Sequence, residues 1–119
     1  GKMQCVSCHN PHGGPLGNLK TESVEETCFK CHAEKAGPFV HEHPPVAEGC
    51  DVCHKPHGSI NEALLKQSQP YLCLRCHTQT NFPTIGTSGH SIRLYQGSCF
   101  SAGCHTAVHG SNFDDHLRY

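Results

Sequence analysis

Five short cysteine and histidine motifs constrain this chain of 119 residues more than any other feature of its sequence. Four of them read Cys-x-x-Cys-His, as "CVSCH", "CFKCH", "CDVCH" and "CLRCH", and the fifth, "CFSAGCH", has four residues between its cysteines. We number them motif 1 to motif 5 in chain order. Together they use all ten cysteines, so a fold built on them must satisfy ten thiols and five adjoining imidazoles.

The Cys-x-x-Cys-His spacing is the attachment signature of c-type haem. Cysteines at positions i and i+3 project from one side of a helical turn, so both sulfurs can form thioethers along one edge of a porphyrin. The histidine that follows can then approach the iron as its proximal ligand. The sequence therefore predicts five haem c groups. The attachment cysteines are Cys5, Cys8, Cys28, Cys31, Cys50, Cys53, Cys73, Cys76, Cys99 and Cys104, and the proximal ligands are His9, His32, His54, His77 and His105.

Zinc sites and disulfides also use paired cysteines, but they explain the motifs less well. Structural zinc sites have no reason to place a histidine directly after the second cysteine five times. Redox disulfides of this spacing occur in thioredoxin-like folds, and the sequence lacks the parallel-sheet pattern of such a fold. The wider motif 5 requires a looped-out linker, which Ser101 and Gly103 allow.

The motifs belong to a duplicated unit. At an offset of 45 residues, motifs 1 and 2 fall on motifs 3 and 4, and Leu19 falls on Leu64. The copies span residues 5–49 and 50–98, and a partial third copy spans 99–119. We therefore expect one pentahaem domain over residues 1–119.

The composition predicts a fold with little regular structure. Glycine and proline occupy 12 and 8 positions, and only 35% of the residues are hydrophobic even when the cysteines are counted. These are few apolar side chains for a hydrophobic core, so the haem groups must supply much of the apolar interior. We expect a mostly irregular chain with a few short α-helices and little or no β structure, an extended multihaem cytochrome c wrapped around a row of haems.

Three short helical segments can be located from their N-terminal signals. Ser23 and Glu26 have the spacing of a capping box, which predicts a helix over residues 24–32. Asn61 is suited to cap another short helix. Pro70 is suited to the first position of a turn that carries motif 4.

Seven histidines lie outside the motifs and can supply distal ligands. His12 follows His9 by three residues, which span at most about 10 Å, whereas ligands on opposite faces of one iron need Cα atoms about 12 Å apart. His12 therefore cannot close the far side of its own haem, and the same argument applies to His57 after His54. It also extends to the slightly longer spacing of His109 after His105. These three imidazoles are available to neighbouring haems.

Two further histidines occupy matching gaps in the repeat. His43 precedes motif 3 and His90 precedes motif 5, and we predict them as the remaining distal ligands. His41 is the alternative to His43, and His116 is expected to be a surface residue. The predicted distal ligands are thus His12, His43, His57, His90 and His109.

This ligand set favours electron transfer over catalysis. Five irons with two imidazoles each leave no open position for a substrate, and without an axial methionine their potentials should be low. The alternatives are a reductase with one open haem and a subunit of a cytochrome filament. The formal charge of −1, with mixed signs, gives no sign of nucleic acid or membrane-surface binding, and no run of about 18 apolar residues predicts a membrane span.

The segments "CHNPHGG", "HPPVAEGCDVCHKPHGS" and "CHTAVHGSN" resemble periplasmic multihaem c-type cytochromes. The closest resemblance is to decahaem cytochromes that sit in outer-membrane porins and to pentahaem donors of nitrite reductase, although this chain has five motifs rather than ten. The resemblance implies an extended haem wire, a periplasmic or cell-surface location, and redox protein partners that donate and accept electrons. It also implies distal roles for His12, His57, His109 and His43. Because the first cysteine is already residue 5, we expect Gly1 to be a processed or truncated start.

Overall fold

The computed structural model describes residues 3–77, 99–100 and 103–119. These residues form short helices and turns joined by irregular connections, which confirms the expected fold class. The regular elements are α1 (Cys5–Cys8), α2 (Pro15–Asn18), α3 (Val24–Phe29), α4 (Pro44–Glu48) and α5 (Tyr71–Leu74), three 3-10 turns (Ala33–Lys35, Cys50–Val52 and Glu62–Leu64), and the strands β1 (His41–Glu42) and β2 (Gly110–Ser111).

Helix α3 starts where the capping signal predicts. The Ser23 hydroxyl accepts a hydrogen bond from the Glu26 amide at 3.1 Å, and the Glu26 carboxylate accepts one from the Glu22 amide at 3.1 Å. The helix ends at Phe29, three residues before the predicted end. Beyond Phe29 the amides of Cys31 and His32 both donate to the Cys28 carbonyl, at 3.1 and 3.0 Å, so motif 2 closes as a turn at the end of the helix.

The other two helix signals mark shorter elements. Pro70 occupies the N-cap position of α5, a helix of four residues that ends one residue after Cys73. The helix predicted after Asn61 is only a 3-10 turn, because Ala63 has a φ of +50° and interrupts helical geometry. The Asn61 side chain bonds the Leu65 carbonyl at 2.9 Å instead of capping a helix.

The first two copies of the repeat fold alike. In each, the proximal histidine forms an isolated antiparallel bridge with a leucine of the following loop: His9 with Leu19, and His54 with Leu65. The structural equivalent of Leu19 is therefore Leu65. The constant offset of 45 residues had predicted Leu64 instead. The second loop is one residue longer than the first and accommodates this residue before the leucine.

A two-stranded antiparallel sheet joins the C-terminal loop to the segment between motifs 2 and 3. His41 pairs with Ser111 and Glu42 pairs with Gly110. The Asn112 side chain extends the contact by accepting a hydrogen bond from the Val40 amide at 3.0 Å. This pairing brings residues 103–119 next to the segment that carries His43.

The molecule is elongated, with dimensions of 53 × 31 × 26 Å and a radius of gyration of 16.4 Å. A compact chain of this length would have a radius of gyration of about 13.5 Å. Among the described residues, Leu19 is the hydrophobic residue that is buried, and Val6, Leu16, Ile60 and other apolar side chains are exposed. No helix within the described ranges combines the length and the apolar character that crossing a membrane requires.

Candidate haem-binding sites

Three motif histidines each lie opposite a histidine from elsewhere in the chain. In every pair the two ring planes are nearly parallel. The pairs are His9 with His57 (centroids 5.9 Å apart, planes 22° apart), His77 with His43 (6.1 Å, 21°) and His54 with His109 (6.2 Å, 11°).

The separation of these rings fits an iron ion between them. A metal–imidazole bond of about 2 Å, plus about 1.2 Å from the nitrogen to the ring centre, gives about 6.4 Å between the centres of two opposing ligands. The observed values of 5.9, 6.1 and 6.2 Å lie close to this distance. Each pair also joins one motif histidine to one histidine outside the motifs, which is the combination that proximal and distal ligation requires.

The tautomers of several rings are fixed in the form that a metal ligand needs. A carbonyl oxygen only accepts hydrogen bonds, so an Nδ1 atom bonded to a carbonyl must carry the proton, and the lone pair remains on Nε2. Such second contacts also orient a ligand ring. The Nδ1–H groups and their acceptors are His9 to Gly17 (3.1 Å), His54 to Ala63 (2.8 Å), His105 to His116 (2.7 Å) and His43 to Val108 (2.8 Å).

The acceptor carbonyls of the proximal histidines are brought back by loops that contain left-handed residues. Gly17 and Ala63 have φ values of +69° and +50°, and Leu117, directly after His116, has a φ of +55°. These conformations reverse the chain within a few residues of the motif. The third copy, which looked partial in the sequence, therefore repeats the same support for its proximal histidine.

His43 and His109, two of the predicted distal ligands, line an open cavity of about 200 Å³. Its wall combines apolar side chains such as Phe29 and Phe39 with the charged side chains of Glu25, Lys35 and Glu42. Burial lowers the pKa of His109, and the nearby Lys35 cation adds to this effect. Both influences favour the neutral imidazole, which is the form that binds a metal.

Cysteines of successive motifs meet in two places. Burial, together with contact with the Cys28 thiol, raises the pKa of Cys50 to about 11. A hydrogen bond with Cys99, together with burial, raises the pKa of Cys73. The attachment points of motifs 2 and 3, and those of motifs 4 and 5, are therefore adjacent.

Comparison with known proteins agrees with this geometry. Residues 1–37 and 43–82 match the family described as doubled CXXCH motif. The chain belongs to this family. It is also 42% identical, over 132 aligned positions, to the multiheme cytochrome MtrA of Shewanella baltica, an alignment that covers 93% of this chain and 36% of that protein. The chain thus spans about a third of the length of this relative, and the resemblance to multihaem c-type cytochromes is confirmed.

Two other predicted ligands of this multihaem cytochrome lie at the surface of the described chain. His12 and His32 are exposed, and within the described ranges neither lies opposite another histidine ring. The Nδ1 atom of His32 lies 3.7 Å from the Glu34 carboxylate. His90 and the Ser101 of the wide motif lie outside the described residues. Of the alternatives His41 and His43, the one that lies opposite a motif histidine is His43.

A carboxylate that the sequence analysis missed anchors the loop behind His109. Asp114 accepts two hydrogen bonds from the Arg118 guanidinium, at 2.9 and 3.0 Å, and a third from the Arg118 amide at 2.9 Å. The Arg118 guanidinium lowers the pKa of Asp114 well below its usual range. The Asp–Arg spacing of four residues was the available sequence signal, but such pairs are common on exposed surfaces.

The Asp114 contact predicts an acid-sensitive C-terminal loop. Because the folded-state pKa is depressed, the contact stabilises the loop fully above the ordinary aspartate pKa of about 4, and this contribution disappears as the pH falls through the lowered value. We expect hydrogen-exchange protection factors over residues 110–118 to fall in the wild type only below about pH 4. In Asp114→Asn they should be low already at pH 7.

Asp115→Asn is the matched control, because the Asp115 side chain is exposed and pairs with the neighbouring His116 ring rather than with the Arg118 backbone. Equal protection in the two variants at pH 7 would show that Asp114 does not anchor the loop.

Proposed function

We propose that the chain carries five covalently attached haem c groups and transfers electrons through them between two redox protein partners. The observation that carries this proposal is the set of three imidazole pairs at iron-binding separation, each containing one motif histidine. The family match adds support, since it covers motifs 1 to 4. Motif 5 lies outside the matched residues.

Three of the five sites have a complete set of candidate ligands in this chain. We assign the axial pairs His9 with His57, His54 with His109, and His77 with His43 on the basis of their ring separations. His32 and His105 are the proximal candidates of motifs 2 and 5. When bound, each haem iron exchanges one electron, and bis-imidazole ligation without methionine favours a low potential.

The contacts between motifs support transfer within one connected group of sites. His54 and His57, three residues apart, belong to the sites of motifs 3 and 1, and His105 and His109 belong in the same way to the sites of motifs 5 and 3. The Cys28 contact joins motif 2 to motif 3, and the Cys99 contact joins motif 5 to motif 4. Every motif is therefore linked to another by a direct contact or by a peptide of three to four residues.

The exposed apolar side chains are surfaces that bound porphyrins would cover in this proposal. Val6 and Phe100 lie within attachment motifs and are 49% and 46% exposed, and Leu16 in the first loop is 63% exposed. Bound porphyrins would cover such surfaces and remove their apolar area from water. Since few apolar side chains are buried among the described residues, the haem groups would form most of the interior.

A reductase is the second candidate, and His32 is the residue that favours it. Its exposed ring lies opposite no histidine in the described ranges, so a haem at motif 2 could keep an open sixth position for a small oxyanion. Turnover of nitrite or a similar oxyanion by the haem-loaded chain would support this function. We propose a periplasmic or cell-surface location for either function, because covalent haem attachment takes place outside the cytoplasm in the cytochromes that this chain resembles.

A haem count tests the proposed function directly. We expect the chain, matured in a host that attaches haem c, to show an intact mass increased by five haem groups and the matching pyridine haemochrome absorbance. Replacing Cys99 and Cys104 by serine should reduce the count by one, as should the same replacement of Cys73 and Cys76. A mass equal to that of the bare polypeptide would refute the proposal.

A further inference from the structure

Two of the three imidazole pairs, those that use the first histidine after a motif, follow the same register along the chain. His57, the first histidine after motif 3, lies opposite His9 of motif 1. His109, the first histidine after motif 5, lies opposite His54 of motif 3. In both cases the imidazole reaches back by two motifs, which is one structural repeat.

His12 occupies the corresponding position in the first copy. His12, His57 and His109 each precede a glycine with strongly positive φ: Gly13 (+119°), Gly58 (+131°) and Gly110 (+144°). Each glycine amide also closes a turn by donating to the carbonyl three residues earlier, at 3.2, 3.1 and 2.9 Å respectively. The backbone therefore presents His12 in the same local frame as His57 and His109.

One structural repeat back from motif 1 there is no motif among these residues, since motif 1 is the first of the five. His12 is exposed, and across the described parts of the chain no histidine ring lies opposite it. His32, the proximal candidate of motif 2, does not face it in the described ranges either. His12 thus has the local conformation of a distal ligand. The register that His57 and His109 follow assigns it no haem among the five motifs.

We infer that His12 is the axial ligand of a haem c that lies outside these 119 residues, so that an iron–imidazole bond joins this chain to another haem-bearing segment. The inference rests on the proposed function, because it extends the same ligation rule by one repeat. The partner it requires is a Cys-x-x-Cys-His haem with an open sixth position. That haem can belong to another segment of a longer polypeptide or to a second copy of this chain.

A haem peptide tests the inference. The probe is a short peptide with one Cys-x-x-Cys-His motif, one covalent haem and an open sixth position. We expect the pentahaem chain to convert one equivalent of the ferric peptide from high spin to low spin, as followed by its absorption and paramagnetic resonance spectra. His12→Ala should lose this conversion. His116→Ala, which removes another exposed imidazole, should retain it.

The variant spectra decide whether His12 serves a haem inside or outside the chain. In the isolated monomer, His12→Ala should leave the spin states of the five haems unchanged. A new high-spin haem in that variant would overturn the inference, as would peptide conversion that is absent in the wild type or equal in His12→Ala. If five haems attach and only these results fail, the proposed function survives. If no haem attaches, the proposed function itself fails.

Sedimentation of the wild-type chain distinguishes the two sources of the partner haem. Concentration-dependent association that His12→Ala abolishes would identify a second copy as the partner. A chain that stays monomeric while it converts the haem peptide would identify a different haem-bearing segment. Both outcomes support ligation by His12, and they differ only in the polypeptide that carries the iron.

Discussion

Replacing His57 by alanine should convert one haem per chain from low spin to high spin. The His57 ring lies opposite His9, with centroids 5.9 Å apart. The neighbouring histidine His54 cannot replace it as a ligand, because the His54 ring lies opposite His109. The haem of motif 1 would therefore lose its sixth ligand but keep its covalent attachment and its proximal histidine. Ferric absorption and paramagnetic resonance spectra would count the converted haem, and the pyridine haemochrome assay would show that five haems remain.

Two further variants make this prediction specific. His116→Ala removes an exposed imidazole that pairs with the neighbouring Asp115 carboxylate, and it should leave the spin state of every haem unchanged. His57→Met should keep the haem of motif 1 low spin while raising its potential by about 0.1 V or more, since axial ligand identity moves haem potentials over roughly 0.8 V. Unchanged spin states in His57→Ala would contradict the assignment of His57 to motif 1.

The sequence predicted the chemistry of the sites better than their pairing. The residue types, their spacing and the reach of a three-residue peptide can all be read from the sequence. His57 could therefore be excluded as a ligand of the motif 3 haem without knowledge of the fold. The choice of motif 1 as its partner depends on the path of more than 40 residues between the two rings. No local pattern encodes that path, and the register became visible only when two pairs could be compared.

The supporting contacts were hidden for a different reason. Ala63, Leu64 and Leu117 adopt positive φ values that these residue types rarely take, so their identities gave no turn signal. The extra residue before Leu65 could not be seen in the sequence either. Leu64 and Leu65 are consecutive leucines, so a constant offset matched Leu19 to the wrong one. Capping of α3 was predictable since Ser23 and Glu26 interact within one turn. The pairing of β1 with β2 was not, because two-residue strands carry no alternation.

Removing the haem groups should unfold the chain. A variant with serine at all ten cysteine positions, purified without haem, should expand from a radius of gyration of 16.4 Å to about 35 Å, the value for an unfolded chain of this length. Ordering each residue costs about 1–2 kcal/mol in backbone entropy. The described part of the chain offers Leu19 as its buried hydrophobic residue, so burial within the polypeptide cannot offset that cost.

Small-angle scattering and circular dichroism of this variant would test the prediction, with the haem-loaded chain as the reference. Adding free haemin to the variant separates two causes of stability. If burial of the macrocycles dominates, haemin should restore part of the compaction through the remaining histidine pairs, whereas a dominant effect of the covalent tethers would leave the chain expanded. A haem-free chain whose radius stays near 16.4 Å would show that the polypeptide folds without its cofactor, and that the imidazole pairs are preformed rather than assembled around iron.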